Sequence, residues 1–106
     1  ALDQMRAQAD KQDMGDFLEM MAEHHAKKDP NTPLSEKFGY LAKAITDPES
    51  LSESQIEEAM GIYNNRLLPD SQSKSMFNSF NDRQKELIEK MGPLLENIKN
   101  ITENES

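Results

Sequence analysis

The chain contains no cysteine and no valine, and threonine is scarce. Without cysteine there is no disulfide framework and no thiolate metal site, which fits a reducing compartment. Leu, Ala, Met, Glu, Lys and Gln dominate, so the sequence is rich in helix formers and poor in strand formers other than isoleucine. Only four glycines occur, and none sits in a phosphate-cradling run. No apolar stretch approaches the ~18–20 residues that span a bilayer. No charged-then-apolar leader opens the chain. Basic residues are the minority, 12 against 20 acidic, for a formal net charge of -8. A negative surface disfavours nucleic acid and anionic lipid, which attract Lys and Arg, and suits a basic partner. The corresponding expectations are a cytoplasmic protein with no membrane insertion and no bound nucleic acid.

Large apolar residues are also few. Leu, Ile and Phe together make up 20 of the 106 residues, close to the level at which charged chains stop folding. Seven methionines partly make up the deficit. One thin-cored domain over 1–106 is expected, which a partner or a second copy would help to complete.

What is present is helical spacing with clear punctuation. Residues 1–12 are polar, and their Leu2, Met5 and Ala9 are out of phase with the apolar face that begins at Met14, so this segment is expected to fray. A firmer helix is predicted over 13–28, with Asp13 as cap and Met14, Phe17, Leu18, Met21 and Ala22 on one face. Asp29-Pro30 stops it. Thr32-Pro33 starts a second helix over 33–46, with Leu34, Phe38, Leu41, Ala42 and Ile45 as its stripe. Asp47-Pro48 stops that one. Ser52 and Gln55 have capping-box spacing and open a third helix over 52–68, carrying Ile56, Ala59, Met60, Tyr63 and Leu67. The short link between these two predicts an antiparallel hairpin. Residues 70–75 read as a polar turn.

The longest pattern runs from Phe77 to Ile101 in alternating steps of three and four: Phe77, Phe80, Gln84, Leu87, Met91, Leu94, Ile98 and Ile101. It predicts a long fourth helix over 75–101. With Phe77 at heptad position a, the e positions Ile88 and Leu95 are apolar too. The face is therefore wide, as on a bundle helix rather than a two-stranded coiled-coil seam. Pro93 falls on the outer side, where the carbonyl it orphans, that of Glu89, can reach water, so one continuous helix bent at Pro93 is expected. Residues 102–106 are expected to fray. The fold class is all-α, a small bundle of four helices.

Chemistry is thinly marked. His24 and His25 point about 100° apart on a helix, so the pair is a poor metal chelate and is read as solvated or partly buried. No calcium-loop spacing occurs, and no nucleophile stands out beside a base. Asn100-Ile101-Thr102 and Asn104-Glu105-Ser106 match the glycosylation pattern, read as chance in a chain without a leader. No cofactor and no enzyme activity are expected. Of the methionines, Met14, Met21, Met60 and Met91 read as core, and Met20 and Met76 as exposed.

What remains points to protein–protein binding by a small acidic helical regulator, inhibitor or chaperone-like protein. The candidate contact residues are Met76, Phe77, Phe80, Leu94, Leu95, Ile98 and Ile101. A second candidate is the acidic patch Asp47, Glu49, Glu53, Glu57 and Glu58, which contains no Lys or Arg. The alternatives are a self-associating scaffold, giving a homo-oligomer through the 77–101 stripe, and an acidic mimic of nucleic acid working through residues 47–58.

Overall fold

Four α-helices carry the molecule: α1 Leu2–Lys28, α2 Pro33–Thr46, α3 Glu53–Ile62 and α4 Asp82–Glu105. The computed structural model describes residues 1–69 and 75–105, the last without its side chain. The expected polar turn at 70–75 lies, apart from Ser75, outside the described residues. No strand occurs among the described residues, and the class is all-α.

The punctuation sets the hairpins. Asp29 ends α1, and the Thr32 hydroxyl accepts the Leu34 N–H at 3.3 Å with Pro33 in the first turn of α2. At α3 the Ser52 hydroxyl accepts the Gln55 N–H at 3.2 Å, and the Gln55 side chain accepts the Ser52 N–H at 2.9 Å. This capping box satisfies two otherwise orphaned donors.

Past Ile62 the chain widens into a π-helical turn, Tyr63–Leu67, closed by the Leu68 N–H on the Tyr63 carbonyl at 3.2 Å. The wider turn keeps Ile62, Tyr63 and Leu67 buried together, each 6% exposed or less.

The core is drawn from every helix. Leu18, Phe38, Leu41, Leu67, Ile88 and Met91 are all fully buried. Each contributes roughly 1.5–3 kcal/mol relative to an exposed position. Helices α1 and α2 approach closely at Gly15, where an added Cβ would sit 2.9 Å from the Thr46 methyl. The Thr46 hydroxyl donates to the Ala42 carbonyl at 2.9 Å, which fixes that methyl in place.

Helix α4 runs antiparallel to α1, and an ion cluster fastens the two. Arg83 reaches Asp10 at 3.0 Å and Asp13 at 2.7 Å, and Lys90 reaches Asp10 at 3.0 Å. The Lys90 and then the Arg83 bonds hold the Asp10 carboxyl below its ordinary value. Pro93 lies inside α4 without interrupting it, and both Pro93 and Glu89 are exposed. One turn away the buried Tyr63 hydroxyl donates to the Ile88 carbonyl at 3.1 Å.

Three sequence expectations fail at helix ends. Helix α1 begins at Leu2, so Asp13 is not its cap but a mid-helix partner of Arg83. Residues 2–9 are helical while exposed, so their Ala- and Gln-rich composition, more than burial, supports them. Helix α4 continues to Glu105, past its expected end at 101.

The third failure is the start of α4. Phe77 and Phe80 precede the helix, in and just after a 3-10 turn at Phe77–Ser79. Asn81 and Gln84 form a reciprocal cap, with bonds of 2.8 and 3.0 Å. Gln84, the lone polar member of the stripe, is thus the third residue of a helix start.

Candidate functional site

An ideal α-helix drifts ~20° per heptad against a strict seven-residue repeat. Helix α4 shows the consequence. Its buried line follows Leu87, Ile88, Met91 and Leu95, each 3% exposed or less. The original stripe drifts off that line: Leu94 and Ile98 are half-buried, and Ile101 is 51% exposed. The C-terminal half of α4 therefore presents aliphatic side chains that its own fold covers only in part.

Hollows lie along both flanks of this half-helix. Against α3 there are two, of about 390 and 440 Å³, sharing Ile56 and Thr102 and so forming one furrow. Met60 and Gly61 line its far end, and Leu51, Ile98 and Ile101 its near end. Glu49, Glu53 and Glu57 stand on the rim, with Lys99 as the cation beside them. The capping box sets these positions, because it fixes the phase that puts Glu53, Ile56, Glu57 and Met60 toward α4. On the α1 flank a hollow of about 670 Å³ lies between Gln8, Lys11 and Gln12 and the residues Leu94 and Ile98. The hydroxyls on these walls, Thr102 and Thr46, each donate to a backbone carbonyl one turn back at 2.9 Å.

The predicted contact residues separate into three groups. Leu94, Ile98 and Ile101 come together here. Leu95 is 1% exposed and belongs to the core, so it is not available at a surface. Met76, Phe77 and Phe80 lie at the opposite end of α4, roughly 30 Å away along the helix. They close that end of the bundle. The Met76 N–H donates to the Arg66 carbonyl at 2.7 Å, and Phe80 meets Phe17 edge-on at 5.2 Å. The Lys85 ammonium lies 5.4 Å above the Phe77 ring. Met20 is 48% exposed, whereas Met76 is half-buried.

The acidic stretch divides as well. Glu49, Glu53 and Glu57 face the furrow. Glu58 lies on the α2 side of α3, near the Tyr40 phenol, whose pKa is raised first by its hydrogen bond to Glu36 and last by the Glu58 charge. Asp47 terminates α2, and its carbonyl accepts the Ser50 hydroxyl at 2.8 Å. The five carboxylates thus share no single face.

Leu51, Ile56, Met60 and Gly61 were not among the residues singled out from sequence as contacts. Gly61 carried a signal. It is an interior glycine in a strongly marked helix, and nothing in the fold lies within 4 Å of where its Cβ would be.

The histidines sit elsewhere. His25 stacks on Phe38, with centroids 5.2 Å apart and planes 4° from parallel, and its Nε2 is buried without a hydrogen-bond partner among the described residues. Burial first, then the charges of His24, Arg66 and Lys28, lower its affinity for a proton.

Among the described residues no group of three His, Cys, Asp or Glu is placed to hold a metal, and no helix is long and apolar enough to cross a membrane. Comparison with protein-family models, curated proteins and solved structures finds no match.

Proposed function

We propose that this chain is a non-enzymatic protein-binding module whose working surface is the C-terminal half of α4 with its flanking hollows. The observation that carries this reading is the drift of Leu94, Ile98 and Ile101 off the buried line into two hollows, Leu94 and Ile98 on the α1 flank and Ile98 and Ile101 on the α3 flank. Partly uncovered aliphatic side chains beside concave, partly apolar walls are the usual form of a partner surface. The walls bring together aliphatic groups, carboxylates and already bonded hydroxyls.

A second reading, self-association through the same end, has one observation in its favour. Leu2 and Met5, on the overhanging first turns of α1, are 62% and 68% exposed. It differs from assembly through the whole 77–101 stripe, whose Leu87 and Met91 are enclosed in the chain's own core.

The test uses Ile101→Asp, which alters an exposed position and leaves the core intact. Polypeptides retained from a native extract by the wild-type chain are compared with those retained by the variant, alongside sedimentation of both. A polypeptide held by the wild type and lost from the variant is the expected result. No retained polypeptide, or retention indifferent to Ile101→Asp, refutes the proposal. A dimer abolished by Ile101→Asp selects the second reading.

A further inference from the structure

We infer that the furrow between α3 and α4 seats a basic amphipathic helix, an assignment that rests on the surface proposed above and names its occupant. Three features of the furrow carry it.

The first is its floor. Ile56 and Met60 lie four residues apart on α3, and Ile98 and Ile101 three apart on α4; Ile56 borders the hollow of both isoleucines, while Met60 borders that of Lys99, Thr102 and Glu103. These are ridge spacings into which side chains of a third helix can settle. From Glu53 to Asn64 the α3 wall runs roughly 17 Å, about three helical turns.

The second is Gly61. A glycine inside a helix weakens folding about fivefold relative to alanine. Close packing explains such a residue at Gly15, where a Cβ would strike Thr46, and at Gly92, where it would lie 3.2 Å from the Tyr63 hydroxyl. At Gly61, as at Gly39 on α2, no other part of the described chain lies within 4 Å of an added Cβ, and of the two Gly61 lines the furrow. The missing side chain instead opens the furrow wall, so that another backbone can approach closely.

The third is charge. Among the described residues the lining carboxylates Glu49, Glu53, Glu57 and Glu103 outnumber the cation Lys99, and Glu49, Glu53 and Glu57 form no ion pair. Glu53 and Glu57 are one turn apart, about 6 Å, the spacing of lysines at i and i+4 on a facing helix. This rim repels an acidic helix and steers a basic one. A second copy is a poorer match, because its exposed helical segment Leu2–Ala9 carries one Arg and one Asp and has no net charge to offer.

The probes are two fluorescein-labelled amphipathic peptides of equal length, one of Leu and Lys and one of Leu and Glu. Fluorescence anisotropy follows their binding to the full chain. The Leu/Lys peptide is expected to bind, with an affinity that falls as salt rises. Gly61→Leu fills the furrow without changing charge. It should weaken binding tenfold or more while the thermal midpoint stays at or above that of the wild type, since Leu is the better helix former. Reversing the rim with Glu53→Lys and Glu57→Lys together should transfer preference to the Leu/Glu peptide.

Binding of the Leu/Lys peptide that ignores Gly61→Leu overturns the inference, since attraction to net charge alone would explain it. Failure of the wild type to bind that peptide overturns it too, and leaves the α4 surface to be judged by the Ile101→Asp comparison. If the Leu/Glu peptide binds the wild type better and is displaced by Gly61→Leu, the surface stands and the basic partner falls.

Discussion

The close approach of α1 and α2 gives a prediction whose sign can be reversed. In an open helix, Gly15→Ala should stabilise by about 1 kcal/mol through helix propensity. Here the new Cβ would lie 2.9 Å from the Thr46 Cγ2, against ordinary carbon contacts of about 3.5–4.0 Å. Threonine is stiff at its first side-chain torsion, and this one is further held by its 2.9 Å bond to the Ala42 carbonyl. The strain therefore falls on the helix pair, at the ~1–3 kcal/mol usual for overpacking. The net expectation is destabilisation by about 1 kcal/mol, or roughly 4–8 °C in the thermal midpoint of a domain this size.

Thr46→Ser removes the offending methyl and keeps the hydroxyl. Alone, at an exposed position, it should change stability by less than about 0.5 kcal/mol. Introduced together with it, Gly15→Ala should stabilise by about 1 kcal/mol, for a coupling of about 2 kcal/mol. Far-UV circular dichroism melts and urea titrations of the four chains measure the cycle. If Gly15→Ala raises the midpoint equally with and without Thr46→Ser, the helices are not in contact there and the reasoning fails.

Tyr63→Phe should cost about 1 kcal/mol for the lost bond to the Ile88 carbonyl, measured by urea unfolding. Burial and then the Glu89 charge raise the Tyr63 phenol above its ordinary 10.0, so the unfolded chain ionises first as pH rises. The wild type should therefore lose stability above about pH 10 more steeply than the variant. His25 gives the opposite edge. Its folded affinity for a proton lies below the ordinary 6.5, so its contribution is complete above that value and is lost as pH falls through the folded pKa. Melts of His25→Leu between about pH 7 and 5 should show a flatter midpoint than the wild type, and equal slopes would contradict the buried, unpartnered Nε2.

How much was legible depended on whether a feature was written locally. Asp29-Pro30, Thr32-Pro33, Asp47-Pro48 and the Ser52/Gln55 box each fix a helix end through one or two side chains, and each lies where the sequence put it. The wide apolar face of α4, and its passage through Pro93, followed from periodicity.

What failed needed a partner distant in sequence, or a rival explanation for the same letters. Asp13 has the chemistry of a cap, and only the folded chain brings Arg83 to it. Phe77 and Phe80 fit the stripe by spacing alone, because the cap at Asn81 resets the chain between them and Leu87. The π-turn leaves no mark on the pattern, since Tyr63 and Leu67 satisfy an α-helical step equally well.

For the candidate site, Leu94, Ile98 and Ile101 were visible in the sequence. Their neighbours across the furrow were not, because α3 and α4 meet only through the tertiary fold. Leu95 shows the same limit, since a step of one residue separates the half-buried Leu94 from a core position.

Helices α1, α2 and α3 pack along the chain as two successive hairpins, while α4 touches each of them more sparingly. Its fastenings are its apolar line, the Tyr63 bond and the ion cluster at Asp10. In hydrogen–deuterium exchange, α4 should accordingly open as a cooperative unit ahead of the α1–α2 hairpin. Because α4 is one wall of the furrow, every such opening dismantles the seat. An occupant that holds the furrow closed would slow exchange along the whole of α4, including turns it never touches.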